Sequence, residues 1–235
     1  MMWPRMTDRW KYPSLAKPDS DGAYCYHVQR RVSIRFSVQL ASYMGPNVAT
    51  GFGLIFGIAA AVLVLMDHWL LGAVLIQIFG IFSCVDGEIA RIQGRSSRIG
   101  DFLDTLTDRV TELLIVGAIV LSLSARVDPT SALTAGFALL GGIFVLTTSS
   151  EKFRSAWQIG YPKRRLECLL GFFCAGSDSR LLMLSIGLVV SEFTRDGSFM
   201  LWLMWILAAV TYANFLIRIG LIHRHFGADD RKNDR

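Results

Sequence analysis

Four aspartates within one short stretch are the residues best suited to chemistry. In "VDGEIARIQGRSSRIGDFLDTLTDRV", residues 85–110, they are Asp86, Asp101, Asp104 and Asp108. On a helix, Asp101, Asp104 and Asp108 stand at i, i+3 and i+7, close to one face. Asp104 and Asp108 are separated by one turn, about 6 Å of rise. Asp86 closes the apolar run before them, so two neighbouring helices would bring Asp86, Asp104 and Asp108 together. Carboxylates alone select hard cations, Mg²⁺ or Mn²⁺, rather than zinc. Two such ions, about 3.5–4 Å apart, would clamp a displacement at phosphorus. Gly87 and Gly100 leave the backbone open to a bulky ligand. The plainer alternative is a set of interfacial carboxylates paired with Arg91, Arg95, Arg98 and Arg109.

The elements around this stretch are apolar. The chain has 235 residues, 52% of them hydrophobic, with a mean hydropathy of +0.42. That composition belongs to the membrane class. Apolar runs at 48–66, 69–85, from within the acidic stretch to about 124, 132–150, 181–193 and 199–221 predict six transmembrane helices. The expected fold is therefore all-α: a polytopic membrane protein with an amphipathic juxtamembrane helix before the first span. Residues 1–27 read as a polar, flexible segment without an apolar signal core, 28–224 as one membrane catalytic domain, and 225–235 as a polar tail. The patch "RLECLLGFFCAGS" is too short to span and reads as an interfacial helix or packed loop.

Basic residues alternate high and low from loop to loop. Arg5, Arg9, Lys11, Lys17, Arg30, Arg31 and Arg35 precede the first run, and the first hairpin has none. The second loop has Arg91, Arg95 and Arg98, the third only Arg126, the fourth six from Lys152 to Arg180, and the fifth only Arg195. Both termini and the aspartates are thus expected on the cytoplasmic face of the cell membrane. The net charge of +5 suits an anionic lipid surface, and nothing calls for a nucleic-acid partner. Within 28–43, Val28, Val32, Phe36, Leu40 and Tyr43 form one apolar stripe, the mark of a helix on the inner leaflet or packed on the protein. Cys25, Cys84, Cys168 and Cys174 show no zinc spacing and lie where disulfides are disfavoured.

The motif Asp86-Gly87-x-x-Ala90-Arg91, eight residues, Gly100, three residues, Asp104, three residues, Asp108 resembles the signature of the CDP-alcohol phosphotransferases at every spacing. Pro46-Asn47-x-x-Thr50 at the first span, the span layout and the amphipathic helix extend the resemblance over nearly the whole chain after residue 25. It implies transfer of a phosphoalcohol group from a CDP-alcohol, such as CDP-diacylglycerol, to a second alcohol, with release of CMP. It further implies Asp86, Asp104 and Asp108 as ligands of two Mg²⁺ or Mn²⁺ ions, with Asp108 also the general base. Asn47, Thr50, Gly87, Ala90, Arg91 and Gly100 would bind the CDP moiety. One position departs: where the full signature has another aspartate, this chain has Ser83, and Asp101 is the better-placed spare carboxylate.

Ser149, Lys152, Arg180 and Arg218, at span ends, resemble the acceptor pocket of family members that use inositol phosphate. Glycerol 3-phosphate would suit the same cations, and Arg218 could instead snorkel to the interface. The family implies a homodimer, for which Gly136, Gly141 and Gly142 would permit close packing, between subunits or within one. Two other readings compete: a catalytically impaired lipid-binding relative, suggested by Ser83, and a divalent-cation transporter built on the aspartates.

Overall fold

The computed structural model describes Leu15, residues 21–167 and residues 176–233. Among the described residues the chain is helical, with no strand. A π-helical turn, Cys25–Gln29, leads into α1 (Arg30–Leu40). Then come α2 (Pro46–Leu65), α3 (Trp69–Gln93), α4 (Arg98–Leu123), α5 (Pro129–Trp157), α6 (Lys163–Leu166), α7 (Ser177–Thr194) and α8 (Ser198–Asn233). Helices α2, α3, α5 and the Ser198–Phe226 part of α8 are long and apolar enough to cross a membrane. The remaining long helices, α4 and α7, coincide with the third and fifth apolar runs but carry charge at their starts, Asp101 in one and Asp178 in the other.

Local chemistry sets the boundaries nearest the aspartates. Pro46 opens α2 at a position whose N–H would be unsatisfied anyway. Helix α3 outlasts its apolar run by a further two turns and stops at Gly94, whose φ of 63° lies in the left-handed region that glycine adopts freely. The Arg95 N–H then closes the end on the Ala90 carbonyl at 2.9 Å. Ser97 caps α4 by accepting from the Gly100 N–H at 3.1 Å. The motif "DGEIAR" is thereby helical, and the chain reverses within four residues to start the helix carrying Asp104 and Asp108.

The core runs between α3, α4, α5, α7 and α8 through Trp69, Ile76, Ile119, Leu139 and Leu184, all buried. Exposed Ile55, Val62, Phe137, Phe144, Trp202 and Leu216 cover the outer surface, an arrangement that hydrocarbon tolerates and water does not. The three glycines of α5 serve packing inside the subunit. A Cβ on Gly136 would stand 2.4 Å from Val120 of α4, one on Gly141 2.6 Å from the Tyr212 hydroxyl, and one on Gly142 3.3 Å from Thr211 of α8.

The stripe of α1 faces outward, with Val28, Phe36 and Tyr43 exposed. The polar face is the buried one: Arg30, Ser33 and Ser37 lie against α3. Nor are the described residues before α1 loose. Leu15 and Asp21 are buried, and the Cys25 N–H donates to Asp178 of α7 at 2.9 Å. The rest of residues 1–20, and most of the apolar patch with Cys168 and Cys174, lie outside the described residues. At the other end, α8 passes through 225 without a break, so the expected tail begins as helix.

Candidate active site

A cleft opens where the start of α2, the second half of α3 and the start of α4 meet. Its lining includes Asn47 and Thr50 from α2, Gly87, Ala90 and Arg91 from α3, and Gly100 from α4. Those are the six positions that the sequence reading assigns to a CDP moiety, and the fold brings all of them to one place. Asp86 and Asp104 border the same cleft. Asp86 is buried and is held by the Thr50 hydroxyl, which donates to Oδ2 at 2.7 Å, and by the Gly87 N–H on Oδ1. A Cβ on Gly87 would stand 3.3 Å from Arg91 Nη1. The Arg91 Nη2 donates to the Leu15 carbonyl at 2.8 Å, whereas its buried Nε has no partner among the described residues.

Asp104 links this cleft to a second cavity, of about 320 Å³, lined by Ser83, Asp108, Arg109, Glu112, Arg154 and Lys163 among others. The Ser83 hydroxyl donates to Asp108 Oδ1 at 3.0 Å. Between the two compartments, Thr50, Ser83, Asp86, Asp104 and Asp108 share one narrow gap. The donor set there is oxygen only, which fits a hard divalent cation such as Mg²⁺ or Mn²⁺. Among the described residues no three His, Cys, Asp or Glu side chains are grouped tightly enough to hold an ion. Asp101 lines both compartments as Asp104 does, but it is exposed, ion-paired with Arg154 of α5 and absent from the gap. Ser83, not Asp101, shares the gap with the other candidates.

Of the four acceptor-side candidates, Ser149 and Arg218 are in contact. Lys152 is exposed and lines an outer groove between α4 and α5. Arg180 is buried, with its Nη2 2.8 Å from Glu112 Oε1, and its Nη1 has no partner among the described residues. Arg218 is buried too, but not by snorkelling. Its Nε donates to Glu167 Oε1 at 2.6 Å, and its Nη1 to the Leu146 carbonyl at 3.0 Å and to Ser149 at 3.3 Å.

Several residues of consequence were not singled out from sequence. Glu88, fully buried one residue beyond Gly87, accepts from Arg30 Nη1 at 2.9 Å, Ser33 at 2.7 Å and Ser37 at 2.6 Å. The other arm of Arg30 grips Asp21 at 3.0 Å. The polar face of α1 thus clamps the middle of the "DGEIAR" turn. The i, i+3, i+4 recurrence of Arg30, Ser33, Ile34 and Ser37 was a readable signal, overshadowed by the apolar stripe beside it. Glu112, one turn beyond Asp108, joins Arg180 to Arg109, which it meets at 2.7 Å.

The profile of the CDP-alcohol phosphatidyltransferase family matches residues 43–213. A bifunctional IPC transferase and DIPP synthase of Thermococcus kodakarensis is 33% identical over 144 residues, 61% of this chain and 32% of that protein. A phosphatidylinositol phosphate synthase of Corynebacterium glutamicum is 37% identical over 92 residues, 38% of this chain and 42% of that protein. The chain thus aligns with less than half the length of either relative. The crystal structure of the Mycobacterium tuberculosis phosphatidylinositol phosphate synthase with CDP-DAG bound superposes with a TM-score of 0.66 at 21% identity, covering 82% of this chain and 94% of that one. The same protein was solved in complex with manganese and citrate, with a TM-score of 0.64 at 20% identity over 81% of this chain and 88% of that one.

Proposed function

Because the chain belongs to the CDP-alcohol phosphatidyltransferase family, we propose that it transfers the phosphatidyl-type group of a CDP-alcohol such as CDP-diacylglycerol to an inositol phosphate or a similar phosphorylated polyol, releasing CMP. The single observation behind this reading is that Asp104 borders both compartments. The six expected CDP-binding positions line one side of it, and Asp108 with Ser83 lies on the other. The names of the relatives support the acceptor class.

In this account Asn47, Thr50, Gly87, Ala90, Arg91 and Gly100 hold the cytidine and diphosphate. Gly87 and Gly100 let the nucleotide approach the helix backbones. Asp86 and Asp104, with Asp108, would hold Mg²⁺ or Mn²⁺, which when bound neutralises the diphosphate and stabilises departing CMP. Asp108 takes the proton from the acceptor hydroxyl as its oxygen bonds to the lipid-linked phosphorus and the bond to CMP breaks. The Ser83 hydrogen bond fixes the Asp108 carboxylate toward that gap. The clamp from α1 through Glu88 keeps Gly87 and Asp86 in register with Asp104.

All six long helices, α2 to α5, α7 and α8, span the bilayer in this reading, with α1 on the inner leaflet and the cleft at the cytoplasmic face. The expected homodimer draws no support from Gly136, Gly141 or Gly142, which are engaged within the subunit. The test is release of CMP from CDP-diacylglycerol by purified protein given inositol phosphate and Mg²⁺. A binding or transport protein would release none.

A further inference from the structure

The second cavity holds cations whose charge is already engaged. Arg109 meets Glu112, Arg154 meets Asp101, and Arg30 meets Asp21 and Glu88. Lys163 lines the same cavity and has no carboxylate within ion-pair reach among the described residues. Its position is built. Tyr161, two residues before it, is buried edge-to-face on Phe153, ring centroids 5.1 Å apart, and carries the Arg218 guanidinium 4.6 Å above its ring. Glu167, four residues after it, is buried on Arg218 at 2.6 Å. The strap between α5 and α7 is thus anchored on both sides of Lys163, and Arg218 is the anchor.

We propose that Lys163 is a specificity-determining residue: it takes the phosphate of the phosphorylated acceptor in the cavity that Asp108 also lines, and Arg218 positions it through Tyr161 and Glu167. This rests on the phosphotransfer reading above. An ammonium is a compact, mobile donor suited to a phosphate whose alcohol must still turn toward a base. Arg218 keeps its charge in this scheme but touches the strap rather than the substrate.

Burial, with Arg218 and then Arg180 nearby, lowers Lys163 to about 8, against the opposing pull of Asp178 and Glu167. The charged groups that line the cavity with it are Asp101, Asp104, Asp108, Arg109 and Glu112 of α4, Glu151 and Arg154 of α5, Asp178 of α7, and Asp21 and Arg30. Below about pH 8 the site is charged and binds phosphate, and above it the charge is lost.

The experiment uses the purified full chain in detergent, as wild type, K163Q and K163R. Steady-state kinetics with CDP-diacylglycerol and an inositol phosphate should show the acceptor KM of K163Q raised about tenfold at pH 7.5, a factor equal to about 1.4 kcal/mol, with the donor KM within about twofold. In wild type the acceptor KM should hold level to about pH 8 and then climb, whereas K163R should stay level to about pH 9.5, because a guanidinium does not titrate there. A merely structural lysine would not move that profile. Calorimetric titration of the same inositol phosphate into protein without donor reads the site independently of turnover, and K163Q should bind about tenfold more weakly. Lys163-dependent binding without CMP release from wild type would uphold the anion site and sink the phosphotransfer reading. Equal acceptor constants in wild type and K163Q, an alkaline climb retained in K163R, or no binding of the phosphate to wild type would each overturn the proposal.

Discussion

Ser83→Asp restores the carboxylate that the family signature places there and tests what the gap between the compartments is for. The Ser83 hydroxyl stands 3.0 Å from Asp108 Oδ1, so a carboxylate at this position would face Asp108 across about 4 Å. Two like charges at that separation repel by about 4 kcal/mol at an effective dielectric constant of 20. Both positions are half-buried, and solvent brings the figure to about 2 kcal/mol. Loss of the hydroxyl's hydrogen bond adds about 1 kcal/mol. A total of about 3 kcal/mol should lower the melting temperature by about 6–12 °C in chelator. A divalent cation would reverse the sign by turning repulsion into shared ligation. The variant should therefore gain more from Mg²⁺ or Mn²⁺ than wild type does, and should reach half-maximal activity at a lower metal concentration. Ser83→Ala loses only the hydrogen bond and should show no extra response to metal. Thermal unfolding followed by tryptophan fluorescence, with chelator and across a metal titration, reads all three proteins. If Ser83→Asp melts with wild type in chelator and gains nothing further from metal, residue 83 is out of reach of the ions and this account of the gap is wrong.

Asp101→Asn should leave the same metal titration unchanged and cost little stability, since Asp101 is exposed and paired only at the surface. Replacing Asp108 with Asn should abolish turnover while sparing metal-dependent CMP binding more than Asp86→Asn does, as equilibrium dialysis with labelled CMP would show. Equal binding defects would remove the distinction between base and ligand. Glu88→Leu leaves the buried Arg30 with Asp21 and the Cys84 carbonyl as partners and should destabilise the chain by about 3 kcal/mol, the low end for breaking a buried pair. Adding Arg30→Met should recover part of that loss in thermal unfolding, and strict additivity of the two would mean that the clamp does not couple them.

The aspartate motif was legible because helical spacing puts Asp101, Asp104 and Asp108 close to one face and Asp86 ends the apolar run before them. The apolar runs located every long helix for the same reason. The apolar run 69–85 stops about two turns short of the end of α3, since apolarity marks depth and not helicity, and the helix continues through polar "DGEIAR" to its glycine. Glu88 was hidden because its partner lies 58 residues earlier in the chain, and no local pattern joins Arg30 to it. The fate of Arg218 was likewise hidden. Apolar neighbours show that a cation is buried, yet the residue that neutralises it, Glu167, comes from a loop whose docking is a tertiary event. Lys163 went unremarked in a run of basic residues, where nothing in the sequence separates the one facing a cavity from those facing solvent.

The proposed transfer requires Asp108 as its base. CMP release should be measured from CDP-diacylglycerol and an inositol phosphate by purified wild type and Asp108→Asn, each with Mg²⁺ and with excess chelator. Wild type with Mg²⁺ should release one CMP for each phosphorylated lipid formed, with at most about one part in a hundred of that rate in the variant or in chelator. No CMP from wild type, or equal release from the variant or in chelator, would contradict the account.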